Sequence, residues 1–481
     1  MAGTEAGIHI VGIDEGGMVG VGRIYHRLGL PVSASAARRT PSVAAFEEDT
    51  GIAVARQFEA ANIGADHLVV RASTLDDDNP ELWAARRQGL GILSRSAALA
   101  RVLGEKRVIA VTGSHGSGTV SAMVTWILHC AGLEPGFAAT ARLQNFGVEA
   151  RLEEGKWFVI ELGGQGAMAT ELSCDYAICN FLERELPPGD EEGDELDRVV
   201  TRFLESNRRL KEAFVNLDCK GVRGLVERLS LRPTGYALEH RAEYRANLEA
   251  TPEFGVLFDA FYRDEPVGSF ALHMPGAYNA VNALAAIAVA RRVGVGEATI
   301  VEALKSFRGL ENRYAVARGG GVIIVKDLAT RPTGMKRVVD GAKQANEGRL
   351  IAAFRPPRYG LIKYLKDEYA AVFADCDEVV VCRGEQRDAD AVPGVGSESF
   401  VEELRHRDVS ATYVASEAEV VGHLVEKLRP GDRLIYFGDD DFLRMADQVQ
   451  AELAARAERV PADDEQPRLD GPLAEGGEDY D

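Results

Sequence analysis

Three short apolar runs rich in β-branched residues divide the chain into blocks of similar pattern. They are IHIVGI near the N-terminus, RVIAVTGS near residue 107 and GVIIVKDLA near residue 321. Runs of this kind are typical of buried strands, and in each block further runs alternate with helical patterns. A β-α-β succession brings consecutive strands into one parallel sheet. The sequence therefore predicts an α/β protein made of three α/β units.

The same patterns indicate where the domains meet. We predict a first domain at 1–106, a central domain at 107–313, a C-terminal domain at 314–457 and an acidic disordered tail at 458–481. The tail is rich in Gly and Pro and poor in large apolar residues, so burial cannot offset its ordering entropy. The acidic run PPGDEEGDELD, residues 187–197, is interpreted as a solvated loop entering a helix, because its spacing fits no Ca²⁺ loop.

Composition excludes several classes of function. The 481 residues carry a formal net charge of -20, so long-range repulsion disfavours nucleic acid as a partner. The six cysteines contain no CxxC pair and lie in apolar stretches typical of buried, reduced thiols. Neither a signal peptide nor a membrane-spanning run is recognisable. We expect a cytoplasmic protein.

The strand-turn VIAVTGSHGSGTVSAM carries the closest resemblance to a known family. It resembles the ATP-binding loop of the Mur ligase family, most closely that of the UDP-N-acetylmuramate:L-alanine ligases, where Gly-Thr-His-Gly-Lys-Thr leads into a helix. The corresponding positions here are Gly113, Ser114, His115, Gly116, Ser117, Gly118 and Thr119. Ser117 stands at the lysine and Gly118 at the magnesium-binding threonine. The resemblance implies a Rossmann-like, UDP-binding first domain, a P-loop-like central ATPase domain and a Rossmann-like C-terminal domain.

The two substituted positions matter because the lysine neutralises phosphate charge and the hydroxyl after it ligates magnesium. A shifted alignment does not restore the lysine, since none occurs between Lys106 and Lys156. Backbone amides at the helix N-terminus still offer donors to an anion. Two interpretations therefore stay open, a tight turn kept for packing and a loop with residual nucleotide binding.

Further motifs of the family follow in order along the chain, with some polar positions kept and others lost. The kept positions are Glu161, Asn180, Asn279, Asn282, Arg313, Asp327 and Arg358. The lost ones are two acids, now Gly163 and Gly164, an acid and a histidine, now Arg184 and Glu185, and a second histidine, now Tyr278. The resemblance implies that both magnesium positions are affected.

The N-terminal turn GIDEGGMVGVG resembles the family's Gly-Ile-Gly-Gly-x-Gly-Met-Ser-Gly turn, which approaches the UDP diphosphate. Gly12 and Gly17 are kept, whereas Asp14 and Glu15 replace two glycines. These acids add negative charge and bulk where an anion needs backbone amides, which predicts loss of the site. The alternative is that both acids point to solvent from a slightly rearranged turn.

These losses favour a ligase-inactive protein that binds, regulates or scaffolds in peptidoglycan precursor synthesis. Its expected partners are other proteins of that synthesis or a small ligand in the interdomain cleft, and no cofactor is expected. The competing hypothesis is an active amide ligase using ATP and Mg²⁺, in which Lys326, Arg331 or Arg355 supplies the missing charge. A third possibility is a sensor that binds a small ligand in the interdomain cleft and no longer uses ATP.

Overall fold

The computed structural model describes residues 7–65, 67–162, 172–183, 191–250, 255–343, 348–357, 359–384 and 394–459. They form three α/β domains, built on sheets of five, ten and six strands. The predicted three-domain α/β architecture is confirmed. Arg184, Glu185, Gly163, Gly164 and Arg358 lie outside the described residues.

The first domain is a parallel sheet with the strand order β3-β2-β1-β4-β5. Its strands are β1 (Gly7–Val11), β2 (Val32–Ser35), β3 (Val54–Ala55), β4 (His67–Arg71) and β5 (Ile92–Leu93). Its helices are α1 (Met18–Arg27), α2 (Pro41–Thr50), α3 (Pro80–Arg87) and α4 (Arg95–Leu103), with a short 3-10 helix at Ala60–Asn62. Asn79 caps the N-terminus of α3, because its Oδ1 accepts hydrogen bonds from the amides of Glu81 and Leu82.

Glu47, near the end of α2, provides a test of stability against pH in this domain. It accepts hydrogen bonds from the Val54 amide at 3.1 Å, from Arg56 at 2.6 Å and from Arg39 at 3.1 Å. The Val54 amide, followed by Arg56, lowers the pKa of Glu47 from 4.5 to about 2. Because the pKa is lower in the folded state, the stabilisation is complete above the unfolded value and is lost as pH falls from 4.5 towards about 2.

We therefore expect Glu47→Gln to destabilise the protein at pH 7, by less than about 1 kcal/mol because solvent screens these ion pairs. The difference from wild type should shrink as the pH falls to 4 and then to 3 in urea unfolding experiments. Glu48→Gln is the matched control, since Glu48 is exposed on the same helix. Equal stability of wild type and Glu47→Gln at pH 7 would contradict the prediction.

The central domain has a ten-stranded sheet in the order β15-β14-β13-β12-β11-β10-β6-β9-β7-β8. Its strands are β6 (Arg107–Thr112), β7 (Gly136–Leu143), β8 (Val148–Arg151), β9 (Trp157–Glu161), β10 (Tyr176–Cys179), β11 (Glu212–Asn216), β12 (Thr234–Ala237), β13 (Tyr244–Ala250), β14 (Val256–Tyr262) and β15 (Glu265–Leu272). Its helices are α5 (Ser117–Cys130), α6 (Glu191–Ser206), α7 (Lys220–Arg228), α8 (Ala277–Val293) and α9 (Glu297–Lys305). The core strands are parallel, whereas β13, β14 and β15 pair antiparallel at one edge.

Two sequence predictions for this domain need correction. The acidic run was interpreted as a loop up to residue 197, but α6 already begins at Glu191. Acidic residues are favourable in the first turn of a helix, where they complement the positive end of the helix dipole. Of the six cysteines, which were all expected to be buried, Cys130 at the end of α5 is exposed.

The C-terminal domain has a six-stranded sheet in the order β16-β17-β21-β18-β19-β20, parallel except for the β16-β17 pair. Its strands are β16 (Ala315–Gly319), β17 (Val322–Asp327), β18 (Leu350–Phe354), β19 (Glu378–Cys382), β20 (Ala411–Val414) and β21 (Arg433–Phe437). Its helices are α10 (Pro332–Lys343), α11 (Tyr359–Tyr364), α12 (Lys366–Phe373), α13 (Ser397–Arg405), α14 (Glu417–Lys427) and α15 (Asp440–Arg459). The last helix extends two residues into the predicted tail, whose remainder lies outside the described residues.

The first and central domains share one continuous hydrophobic core, whereas the C-terminal sheet has separate clusters on its two faces. Helix α1 lies so close to β8 that a Cβ at Gly20 would be 2.9 Å from the Ala150 Cβ. The first two domains therefore form one packed unit. In the described part of the chain, no helix has the length and apolar character needed to cross a membrane.

Candidate functional site

The glycine-rich loop connects β6 to α5 and is held by close packing. Gly116, the N-cap of α5, has a φ of 72°, a conformation that favours glycine. A Cβ at Gly116 would lie 2.4 Å from Asn180 Nδ2 and 2.7 Å from Asn282 Oδ1. The surrounding structure therefore requires glycine here whether or not an anion binds.

The asparagines that the family motifs keep form a buried network beneath the loop. Asn180 Nδ2 donates to Asn282 Oδ1 at 2.7 Å and to the His115 carbonyl oxygen at 3.3 Å. Asn180 Oδ1 accepts from the Tyr236 hydroxyl at 2.9 Å, and Asn282 Nδ2 donates to Asn279 Oδ1 at 3.3 Å. Because buried amides need such partners, these residues have a structural role in the loop without any ligand.

Ser117, which replaces the lysine, is tied to Glu161 at the end of β9. Ser117 Oγ donates to Glu161 Oε1 at 3.1 Å, while Glu161 Oε2 accepts from the amide and the hydroxyl of Thr140, both at 2.8 Å. A Cβ at Gly118 would lie 3.2 Å from Glu161 Oε1 and 3.1 Å from Leu310 Cδ1. The buried carboxylate thus occupies the space beside the loop that a side chain at position 118 would need.

Arg95, which the sequence analysis missed, connects this loop to the first domain. Its guanidinium donates to the carbonyl oxygens of Glu161 at 2.7 Å, Gly17 at 3.2 Å and Ala139 at 3.3 Å. Burial lowers the pKa of Arg95, and the charges of Glu161 and Glu15 oppose that shift. Nothing in the local sequence marks this residue, because its partners belong to distant strands and turns.

The C-terminal domain meets the loop through α10. Arg337 donates to Glu183 Oε1 at 2.6 Å, and its guanidinium carbon lies 3.9 Å from the centroid of the Phe181 ring. His115 Nε2 lies 3.6 Å from Glu183 Oε2, and a Cβ at Gly334 would be 3.4 Å from His115 Nδ1. The chain's own carboxylate at Glu183 therefore lies between a cation of one domain and the loop histidine of another.

Arg337 was also missed, although the sequence carries a signal for it. Gly334, Arg337 and Gly341 share one face of α10 at helical spacing, and that face packs against the central domain at His115 and Gly276. Because Gly334 and Gly341 have no side chains, this face of the helix can approach the central domain closely on either side of Arg337.

Two of the predicted compensating cations pair with acids of their own domain. Lys326 Nζ donates to Asp447 of α15 at 2.7 Å. Arg355 lies 3.0 Å from Glu417 and 3.4 Å from Asp439. The third, Arg331, directly precedes α10, and its carbonyl oxygen accepts from the Met335 amide. The structure brings Arg337 to the loop instead.

Asp327, at the end of β17, is buried near the same interdomain contact. It accepts hydrogen bonds from the amides of Ala329 at 2.7 Å and Tyr314 at 2.8 Å. Burial raises the pKa of Asp327, and the charge of Arg313 opposes the shift. Burial also raises the pKa of Tyr278, and the charge of Asp327 adds to that effect. Asp327, a kept motif position, and Tyr278, a substituted one, therefore meet where the C-terminal and central domains pack.

The turn between β1 and α1 is held in place by hydrogen bonds to its two acids, Asp14 and Glu15. Asp14 Oδ2 accepts from the Arg38 amide at 3.2 Å and lies 3.7 Å from Arg38 Nε. Glu15 accepts from Ser73 Oγ at 2.6 Å, from the Thr74 amide at 3.0 Å and from Thr74 Oγ1 at 2.8 Å. Both carboxylates are therefore bonded within the domain, at partly exposed positions. Gly12 and Gly17 have φ values of 80° and 84°, which glycine allows.

The chemical capacity of the central site follows from these contacts. The start of α5 presents backbone amides, which suit an anion. Within the ranges that the structure describes, no group of three or more His, Cys, Asp or Glu side chains is arranged to hold a metal ion. Within the loop itself, position 117 is a serine rather than a lysine, and position 118 is a glycine, which has no hydroxyl.

The chain matches three family models in sequence. They are described as Mur ligase family, catalytic domain, at residues 7–107, Mur ligase middle domain, at 111–290, and Mur ligase, glutamate ligase domain, at 312–439. The chain is 31% identical over 440 residues to a UDP-N-acetylmuramate–L-alanine ligase of Anaeromyxobacter sp., covering 91% of this chain and 95% of the relative. It is 32% identical over 448 residues to the ligase of the same name from Desulfosudis oleivorans, covering 92% and 97%.

Solved structures give the same likeness in fold. The UDP-N-acetylmuramate-alanine ligase of Thermotoga maritima superposes with a TM-score of 0.78 at 21% identity, covering 94% of this chain and 99% of that one. A murein peptide ligase from Psychrobacter arcticus superposes with a TM-score of 0.70 at 21% identity, covering 93% and 99%.

Proposed function

This chain belongs to the Mur ligase family, and we propose that it is a member that does not catalyse ATP-dependent ligation and acts instead as a binding, regulatory or scaffold protein in peptidoglycan precursor synthesis. Its relatives are named as UDP-N-acetylmuramate–L-alanine ligases. The proposed link to peptidoglycan is supported by those relatives, and the proposed inactivity is supported by the residues and contacts of the loop.

The hydrogen bond between Ser117 and Glu161 carries the proposal. Phosphoryl transfer from ATP depends on a loop cation and on a hydroxyl that ligates magnesium. Ser117 supplies no charge and is already bonded to Glu161, while Gly118 supplies no hydroxyl. Each missing contact corresponds to about 3–4 kcal/mol of transition-state stabilisation in enzymes that depend on preorganised charge.

The charges in the cleft between the glycine-rich loop and α10 support the same proposal. Glu161 and Glu183 both lie beside the loop, where a triphosphate would bring further negative charge. Arg337 is already paired with Glu183 at 2.6 Å, so its charge is largely neutralised before any nucleotide arrives. The cleft therefore offers a triphosphate little complementary charge.

The test combines isothermal titration of ATP and Mg²⁺ with phosphate release over UDP-N-acetylmuramate and amino acids. We expect no amino-acid-dependent phosphate release above background, because the charge that stabilises the transferring phosphoryl group is missing. The ligase of Desulfosudis oleivorans, assayed in parallel, shows that the substrates are competent. Phosphate release that depends on both substrates would overturn the proposal.

A second candidate, an active ligase with a rebuilt site, is favoured by one observation. Arg337 enters the cleft from the C-terminal domain and lies on Phe181 next to the loop. In this candidate it exchanges Glu183 for a phosphate. Turnover by wild type that is lost in Arg337→Ala and kept in Lys336→Ala would establish it, since Lys336 pairs with Asp340 and Asp375 inside its own domain.

A further inference from the structure

We propose that Glu15 is an internal anion that occupies the ligand crevice of the first domain and excludes a nucleoside diphosphate. The inference deepens the proposed function and rests on it, because it concerns what the non-catalytic protein can still bind. It is carried by the strand order of the first sheet and by the three hydrogen bonds to the Glu15 carboxylate.

The topology of the first sheet locates the crevice independently of the acids. In the order β3-β2-β1-β4-β5, successive strands run outward in opposite directions from the neighbours β1 and β4. In open parallel sheets, ligands bind beyond the carboxyl ends of the strands at this reversal point. The turn 12–17 follows β1 and the segment 72–79 follows β4, so these two loops form the crevice walls.

Glu15 bridges those two walls. Its backbone belongs to the turn after β1, while its carboxylate accepts from Ser73 and Thr74 after β4. Two hydroxyls and one backbone amide converge on a single anionic group, a donor set that suits a phosphate equally well. A free diphosphate would have to displace this carboxylate to reach the same donors.

The charges around the turn make that displacement unfavourable. Asp14 is partly neutralised by Arg38 at 3.7 Å. For Glu15, the described residues supply no cation within 4.0 Å, although its charge affects the buried Arg95 behind the turn. The Glu15 carboxylate therefore has no direct ion pair, and its negative charge disfavours a diphosphate at the mouth of the site.

The neighbouring domain limits the room in the same crevice. A Cβ at Gly16 would lie 3.3 Å from the carbonyl oxygen of Thr140 in β7 of the central sheet, the residue whose amide donates to Glu161. The turn thus lies between the donors of its own domain and β7 of the next. Removing the Glu15 side chain frees the three donors without disturbing the Asp14–Arg38 contact.

The experiment is isothermal titration of the full chain with UDP, with pyrophosphate and inorganic phosphate as separate probes. We expect Glu15→Ala to bind UDP at least about tenfold more tightly than wild type, the size of one charge-assisted contact. Glu15→Gln, which removes the charge and keeps an acceptor, should give a smaller gain. Thr74→Val added to Glu15→Ala should abolish most of it.

Glu48→Ala is the matched control, since it removes one exposed negative charge from the same domain. An equal gain in Glu48→Ala, or no gain in either folded Glu15 variant, would overturn the inference. Thermal unfolding establishes that each variant is folded, and Glu15→Gln keeps the test available if Glu15→Ala is not. Phosphate release by wild type reports on the proposed function separately, so absent turnover together with no gain in UDP binding by the Glu15 variants rejects this inference alone.

Discussion

Arg95→Met is expected to destabilise the protein by about 3–5 kcal/mol, the range for removing one partner of a buried charged network. Arg95 is buried and donates to three carbonyl oxygens, those of Gly17, Ala139 and Glu161. Methionine fills part of the volume but donates no hydrogen bond, so all three carbonyls lose a buried donor. The buried Glu161 and the partly exposed Glu15 also lose their nearby cation.

The domain organisation makes the prediction more specific. Because the first and central domains share one hydrophobic core, we expect them to unfold together in urea, separately from the C-terminal domain. Arg95→Met should lower the midpoint of that first-central transition and leave the other unchanged. The control is Arg27→Met at an exposed position of α1, for which a change within about 0.5 kcal/mol is expected. Equal midpoints for the two variants would contradict the argument.

The sequence predicted the parallel core of each domain and missed the antiparallel edges. Strands such as β6 and β17 are buried on both faces and read as continuous apolar runs. Near that edge, β14 alternates buried and more exposed residues, and β13 has the polar sequence YRANLEA. A half-exposed edge strand carries fewer apolar residues, so its pattern is weaker than that of a buried one.

The sequence predicted which side chains the candidate site lacks, but it did not predict which contacts replace them. The substitutions at Ser117 and Gly118 are visible in the motif itself. The contact between Glu183 and Arg337, in contrast, joins residues 154 positions apart in two domains. Such a contact depends on how the domains dock, which the local pattern of either segment does not specify. The carbonyl partners of Arg95 could not be predicted for the same reason.

Arg337→Ala is expected to loosen the C-terminal domain from the central one. The substitution removes the ion pair with Glu183 and the contact with the Phe181 ring, where the two charged side chains are 18% and 24% exposed. At this exposure, solvent screens part of the attraction, and the two contacts together are worth about 1–2 kcal/mol. A loss of that size lowers the ratio of closed to open molecules by about five- to thirtyfold.

Small-angle scattering and hydrogen exchange measure that shift directly. For Arg337→Ala we expect a larger radius of gyration and faster exchange in α10, because its face at Gly334 and Gly341 no longer stays against the central domain. Lys336→Ala, whose partners Asp340 and Asp375 lie in the same domain, should leave the radius unchanged. Glu183→Gln should reproduce part of the opening, since it removes the charge that Arg337 and His115 share. If Arg337→Ala and Lys336→Ala scatter identically to wild type, Glu183 does not hold the two domains together.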